Sequence, residues 1–165
     1  MKDAFLEGYG GQTTGQLIEL DQSYRTDSIV LAFEQALQQA AENRALSREE
    51  TYVLAVEGLE REVNNGGYSQ FFLNSSNQYA GAIVAALRAI GCPKTADMTQ
   101  QAIAALGIQG ELTREAMEAV VLREDEAVKQ RLGACDERYF SNDEPIADRL
   151  FDWIKRNRAQ IRAGA

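Results

Sequence analysis

Histidine is missing from the 165 residues altogether. That removes the side chain that most often serves as general base near neutral pH, and the commonest metal ligand. Carboxylates remain able to act as acid or base, or to hold a hard cation. Enzymes are therefore disfavoured, and the sequence assigns no catalytic residue, no cofactor and no metal site. Cysteine is scarce: Cys92 and Cys135 have no close partner and no metal-ligand spacing. The start, Met1-Lys2-Asp3-Ala4-Phe5, lacks the apolar segment of a secretory signal. Reduced thiols in a cytoplasmic protein are the expectation. The two prolines, Pro93 and Pro145, leave room for long unbroken helices. Long apolar runs are lacking too. The richest stretch, Ala80 to Ile90, contains Arg88 and falls well short of the roughly 20 residues a membrane span needs.

What is present suits a globular chain. Hydrophobic residues make up 45% and charged residues 25%, which argues against wholesale disorder. The net charge is −8, from 25 acidic and 17 basic residues. Such a surface repels nucleic acid and anionic lipid and attracts a basic protein. The end of the chain departs from this balance through Lys155, Arg156, Arg158 and Arg162. Positive charge near a helix end is favourable in itself, so this run reads as structural before it reads as a nucleic-acid patch.

Helical spacing dominates and no stretch alternates convincingly as a strand, so the expected fold is all-α, a single multi-helical bundle of about seven helices. Residues 1–24 read as a flexible or loosely docked arm because of Gly8, Gly10, Gly11 and Gly15, with residues 25–165 as the helical domain. A helix over 27–43 is expected, capped by Thr26 or Asp27. Ser47 with Glu50 forms a capping box for the next, whose inward face is Tyr52, Val56, Leu59 and Val63. A central alanine-rich helix is expected over 79–90, ended by Gly91, then one from Pro93 to about Gly107. Thr113 caps a long helix reaching about Leu132. A last helix follows Pro145, capped by Asp143 or Glu144, with Ile146, Leu150, Phe151 and Ile154 inward.

The most distinctive run is EREVNNGGYSQFFLNSS, Glu60 to Ser76. Its asparagines and glycines tolerate left-handed backbone and end a helix. Asn64, Asn65, Gln70 and Asn74 are amides able to satisfy backbone groups in turns, while Phe71 and Phe72 anchor a core. A folding corner explains the run; a binding cleft lined by the amides is the alternative. The element Asn64-Asn65-Gly66-Gly67, then Gln70-Phe71-Phe72 and Asn74-Ser75, resembles the signature of the bacterial DNA-mimic protein domain family. The likeness continues through Ala89-Ile90-Gly91 and Lys94-Thr95-Ala96 and extends over roughly residues 25 to 155. The resemblance implies an acidic, helical, dimeric protein whose carboxylates imitate DNA phosphates and which binds a transcription factor.

Mimicry requires a row of carboxylates on a rigid element. The best row lies on the expected Thr113 helix: Glu111, Glu115, Glu118, Asp125 and Glu126, opposite Met117, Val120, Val121 and Val128. Leu122 and Lys129 interrupt it, and an acidic stripe opposite an apolar one also describes any surface helix. Glu124 falls near the apolar face, where an unpaired carboxylate is costly, so an arginine partner or an edge position is expected. The favoured reading is a cytoplasmic acidic protein, able to form a homodimer, that occupies the basic DNA-binding surface of a transcription regulator or other DNA-binding protein, without binding nucleic acid or membrane itself. Two alternatives stand beside it. One is an immunity-type inhibitor of a toxin or nuclease; the other is a small-molecule site or enzyme built on the Asn64–Asn74 region with Glu60.

Overall fold

The computed structural model describes residues 2–164. Among them every regular element is helical. The α-helices are α1 (Thr14–Glu19), α2 (Thr26–Ala41), α3 (Arg48–Leu73), α4 (Ile83–Ala89), α5 (Pro93–Ala105), α6 (Arg114–Leu122), α7 (Glu126–Phe140) and α8 (Ile146–Arg156). Short 3-10 turns cover Leu20–Gln22, Ser75–Tyr79 and Arg158–Gln160, and an isolated bridge joins Ala4 and Tyr24. No described helix is long and apolar enough to cross a membrane. The chain divides into two compact units. One comprises Met1–Glu57 with Pro145–Ala165, the other Gly58–Glu144.

In the first unit α2 packs against α8 and α1 against α2. The buried side chains follow the expected apolar spacing: Ile29, Phe33 and Leu37 on α2, and Ile146, Leu150, Phe151 and Ile154 on α8. The glycine-rich arm is docked rather than free. Leu6 N–H donates to Ser28 Oγ at 3.0 Å, Tyr9 N–H to Gln35 Oε1 at 2.8 Å, and Leu17 is fully buried. Glycine composition correctly marks backbone freedom, but those bonds are made by residues the arm meets only after folding. The cap of α2 also differs from expectation. Arg25 is the N-cap residue and Asp27 lies inside the helix, pairing with Arg25 and accepting from the Ser28 amide.

The capping box at Ser47 is present: Ser47 N–H donates to Glu50 Oε2 at 2.9 Å and Glu50 N–H to Ser47 Oγ at 3.0 Å. Glu50 is fully buried, and Arg44 grips its carboxylate with two bonds of 2.7 and 3.0 Å. The Arg162 amide adds a third donor at 2.8 Å. Burial pushes this carboxyl up, but the Arg44 bonds and the two amides outweigh it and hold it below the usual carboxylate range.

In the second unit α5 packs against both α4 and α7, and α6 meets the Ser75–Tyr79 turn. The expected 79–90 helix is shorter, since Ser75–Tyr79 forms a 3-10 turn and α4 starts only at Ile83. Nor is α4 central: Ile83, Ala86 and Leu87 are buried while Ala85, Arg88 and Ala89 are exposed. Alanine is compatible with either environment, so an alanine-rich stretch does not by itself report burial. Gly91 terminates the segment in the left-handed region, with φ +86°.

The long helix expected from Thr113 to Leu132 is two helices. Asp125 accepts from the Val128 amide at 3.1 Å and caps α7, while Glu124 takes a left-handed turn with φ +53°. A side chain that bonds its own downstream backbone starts a new helix in preference to continuing the old one. That also resolves the position of Glu124, which is exposed in the corner and lies on no apolar face. The cap expected for α8 is absent, because Glu144 serves α5 instead. It accepts from the Lys94 amide at 2.8 Å and from the Thr95 amide at 2.9 Å, and Lys94 Nζ pairs with Asp143 at 2.9 Å.

Candidate functional site

The distinctive Asn-Asn-Gly-Gly run is a break inside α3. Gly66 (φ −165°, ψ 20°) and Gly67 (φ 79°, ψ −176°) leave the helical region, and the chain resumes as a short aromatic segment. Gly67 is the position where side-chain loss is obligatory. Its φ is left-handed, and a Cβ there would meet the Asp136 carboxylate at 2.5 to 2.8 Å. That carboxylate, from α7, accepts the Tyr68 amide at 2.7 Å and so caps the resumed segment. Burial raises the Asp136 carboxyl, and the Tyr68 bond opposes this.

The aromatics of the run form the core of this unit. Tyr68, Phe71 and Phe72 are fully buried. Phe71 and Phe72 meet edge to face at 5.5 Å, and Tyr68 meets Tyr139 at 5.9 Å and 89°. The Tyr68 hydroxyl shares a 2.8 Å hydrogen bond with Thr99 Oγ1, and burial raises its pKa. Asp136 and Thr99 complete the corner from distant points in the chain, and sequence reading did not single out either. No local pattern identifies them, because each sits at an ordinary helical position.

The amides divide by role. Asn64 Nδ2 donates to Glu60 O at 2.7 Å within its own helix, and Asn74 Nδ2 donates to Glu62 at 2.6 Å. Gln70 folds over Gly66, and Asn65 and Ser75 are exposed. Asn64 and Asn74 therefore satisfy the corner itself. Glu60 is different: one carboxylate oxygen is buried with no hydrogen-bond partner, and burial pushes the carboxyl up to about 7. Beside the corner lies a cleft of about 220 Å³ whose lining includes Ser69, Val121, Asp125, Lys129 and Asp136.

The five carboxylates expected to form one row on a single helix are divided between α6 with its approach, which carry Glu111, Glu115 and Glu118, and the start of α7, which carries Asp125 and Glu126. Glu111 and Glu115 are exposed at the start of α6. Glu118 is bonded to Arg114 at 2.8 Å. Asp125 and Glu126 open α7, with Asp125 acting as a cap and Glu126 3.4 Å from Lys129. Leu122, at the end of α6, is 68% exposed beside this acidic corner. Among the described residues no group of three or more cysteines and carboxylates is placed to hold a metal ion.

Compared with known proteins, the chain matches the family model described as DMP19-like protein over residues 44–157, more than half its length. The match begins within the loop before α3, so α1 and α2 lie outside it. No curated protein and no solved structure matches the chain.

Proposed function

We propose, from the premise that the chain belongs to the DMP19-like protein family, that it is a DNA mimic. In this reading it occupies the basic DNA-binding face of another protein, a transcription regulator above all, and is not an enzyme. It acts in the cytoplasm as a homodimer. The observation that carries the reading is the acidic corner built on α6 and the start of α7. Its nine-residue helix, about 13 Å long, carries Glu115 in its first turn with Glu111 just ahead of it, and Asp125 and Glu126 follow its far end. Exposed Leu122 offers an apolar anchor beside Asp125 and Glu126, as the core of a protein interface requires.

The break between α6 and α7 alters the chemistry of mimicry without removing it. A carboxylate that caps a helix or pairs with one lysine still projects charge to a partner. Phosphate recognition by lysine and arginine depends largely on that charge and its acceptor oxygens.

Partner capture from a native lysate, eluted along a salt gradient, tests the reading. One basic DNA-binding protein released by moderate salt and displaced by DNA supports it. A toxin or nuclease in its place moves the function to immunity. Changing Glu111, Glu115 and Glu118 together to glutamine should weaken the captured complex and flatten its salt dependence. Unchanged affinity and slope would remove this corner from the interface.

A further inference from the structure

We propose that the cleft between α5 and α7 binds an amphipathic carboxylate, with its apolar body on Ala104, Ala105, Ala134 and Cys135 and its head group on Arg138. The cleft measures about 400 Å³, within the range of roughly 300–1,000 Å³ typical of ligand sites. Ala105 and Cys135 are buried beneath it, and Ala104 and Ala134 are exposed along it. The site lies wholly within the second unit and is independent of the acidic corner.

Charge makes the cleft unlike its surroundings. In this acidic unit the basic side chains are largely matched: Arg61 with Glu62, Arg88 with Asp97, Lys94 with Asp143, Arg114 with Glu118 and Lys129 with Glu126. Among the described residues Arg123, Arg131 and Arg138 have no carboxylate within ion-pair distance; Arg123 bonds the Ala119 carbonyl of its own helix, and the other two both line the cleft. Seven residues apart on one helix, they stand about 10 Å apart with the apolar strip between them.

Arg138 is the better head-group residue. Its guanidinium already donates to Gln101 Oε1 across from α5, so less side-chain freedom is lost when it takes a carboxylate. A guanidinium presents five donors, and one bond to Gln101 leaves a planar pair for bidentate contact. Arg131, with no such tether, draws the anion from the other end. A protein partner would need roughly 800 Å² on this side, more than four small side chains and two arginines supply. The size and chemistry fit a small ligand.

Titration of the full chain with octanoate, followed by amide NMR shifts and calorimetry, tests the assignment. Saturable shifts at Gln101, Ala104 and Ala134 are expected. Arg138→Gln should weaken binding about tenfold or more, as loss of a charge-assisted contact does. Arg131→Gln should weaken it about twofold to threefold. Ala134→Phe should block the cleft, and octanol should bind at least about tenfold more weakly than octanoate. Thermal melts confirm that each variant is folded; should Ala134→Phe unfold, the two surface arginine variants still decide. Absence of saturable binding, or equal affinity in wild type and both arginine variants, overturns the site. Octanol binding as tightly as octanoate overturns the role of Arg138.

Discussion

Two glutamates ten positions apart in α3 meet opposite fates. Glu50, in the first unit, is fully buried and receives donors from Arg44, Ser47 and Arg162. Glu60, in the second unit, has a buried oxygen with no donor at all. Burial opposes ionisation in both. The donors and the Arg44 charge decide the direction, holding Glu50 below the usual range, while Glu60, with neither, rises to about 7. Burial alone therefore says little about a carboxylate until its donors are counted.

The sharpest way to break this contrast is to remove the donors. Arg44→Ala leaves Glu50 charged, buried and served only by amides, and should cost about 3–5 kcal/mol in urea unfolding. A loss below about 1 kcal/mol would show that the amides suffice. Glu50 should also stabilise the fold above the unfolded carboxylate pKa, with that contribution lost as pH falls through its depressed folded value.

Glu60 carries the reverse sign. Its folded pKa of about 7 lies above the ordinary 4.5, so no penalty exists in acid. The penalty grows as pH rises above the unfolded value and is complete once the folded carboxyl has ionised. Glu60→Gln should therefore stabilise the protein at pH 8, by on the order of 3 kcal/mol, and leave acid stability unchanged. Melting temperatures across pH 4 to pH 8, in wild type and variant, provide the check (about 4 and 8 being chosen to bracket both pKa values). Parallel curves would show that water satisfies the orphan oxygen.

A smaller effect separates the two glycines of the break. Gly67→Ala forces a Cβ into left-handed backbone and against Asp136, and should destabilise by about 1–3 kcal/mol. Gly66 has extended backbone and meets chiefly the flexible Gln70, so Gly66→Ala should cost less. Equal losses in denaturant titrations would mean that crowding, not backbone conformation, sets the requirement. Least of all should Glu115→Gln matter to the fold, within about ±0.5 kcal/mol, since its side chain is exposed. If its melting temperature moves appreciably, Glu115 is a structural residue and not a free binding charge.

Much of the architecture was legible in the residues. The apolar spacing of α2 and α8, the Ser47–Glu50 box, Gly91 and the Asn-Asn-Gly-Gly break all act within a few positions of themselves. The failures share a cause. Charge spacing places Asp125 as one more carboxylate in a helical row, yet it bonds the Val128 amide and starts α7. Spacing offers Asp143 or Glu144 as the cap of α8, yet Glu144 serves the Lys94 and Thr95 amides and Asp143 pairs with Lys94. In each case a carboxylate bonds a backbone amide, and charge patterning does not reveal which one.

By itself, then, the sequence determined an all-helical, acidic chain without histidine chemistry, because helix periodicity, capping and net charge are local or additive properties. Tertiary structure decided which carboxylates are occupied and which face outward. Asp136 reaches the Tyr68 amide and Arg162 reaches Glu50 across long stretches of chain. Those partners become neighbours only when the helices pack, so no spacing along the sequence could announce them.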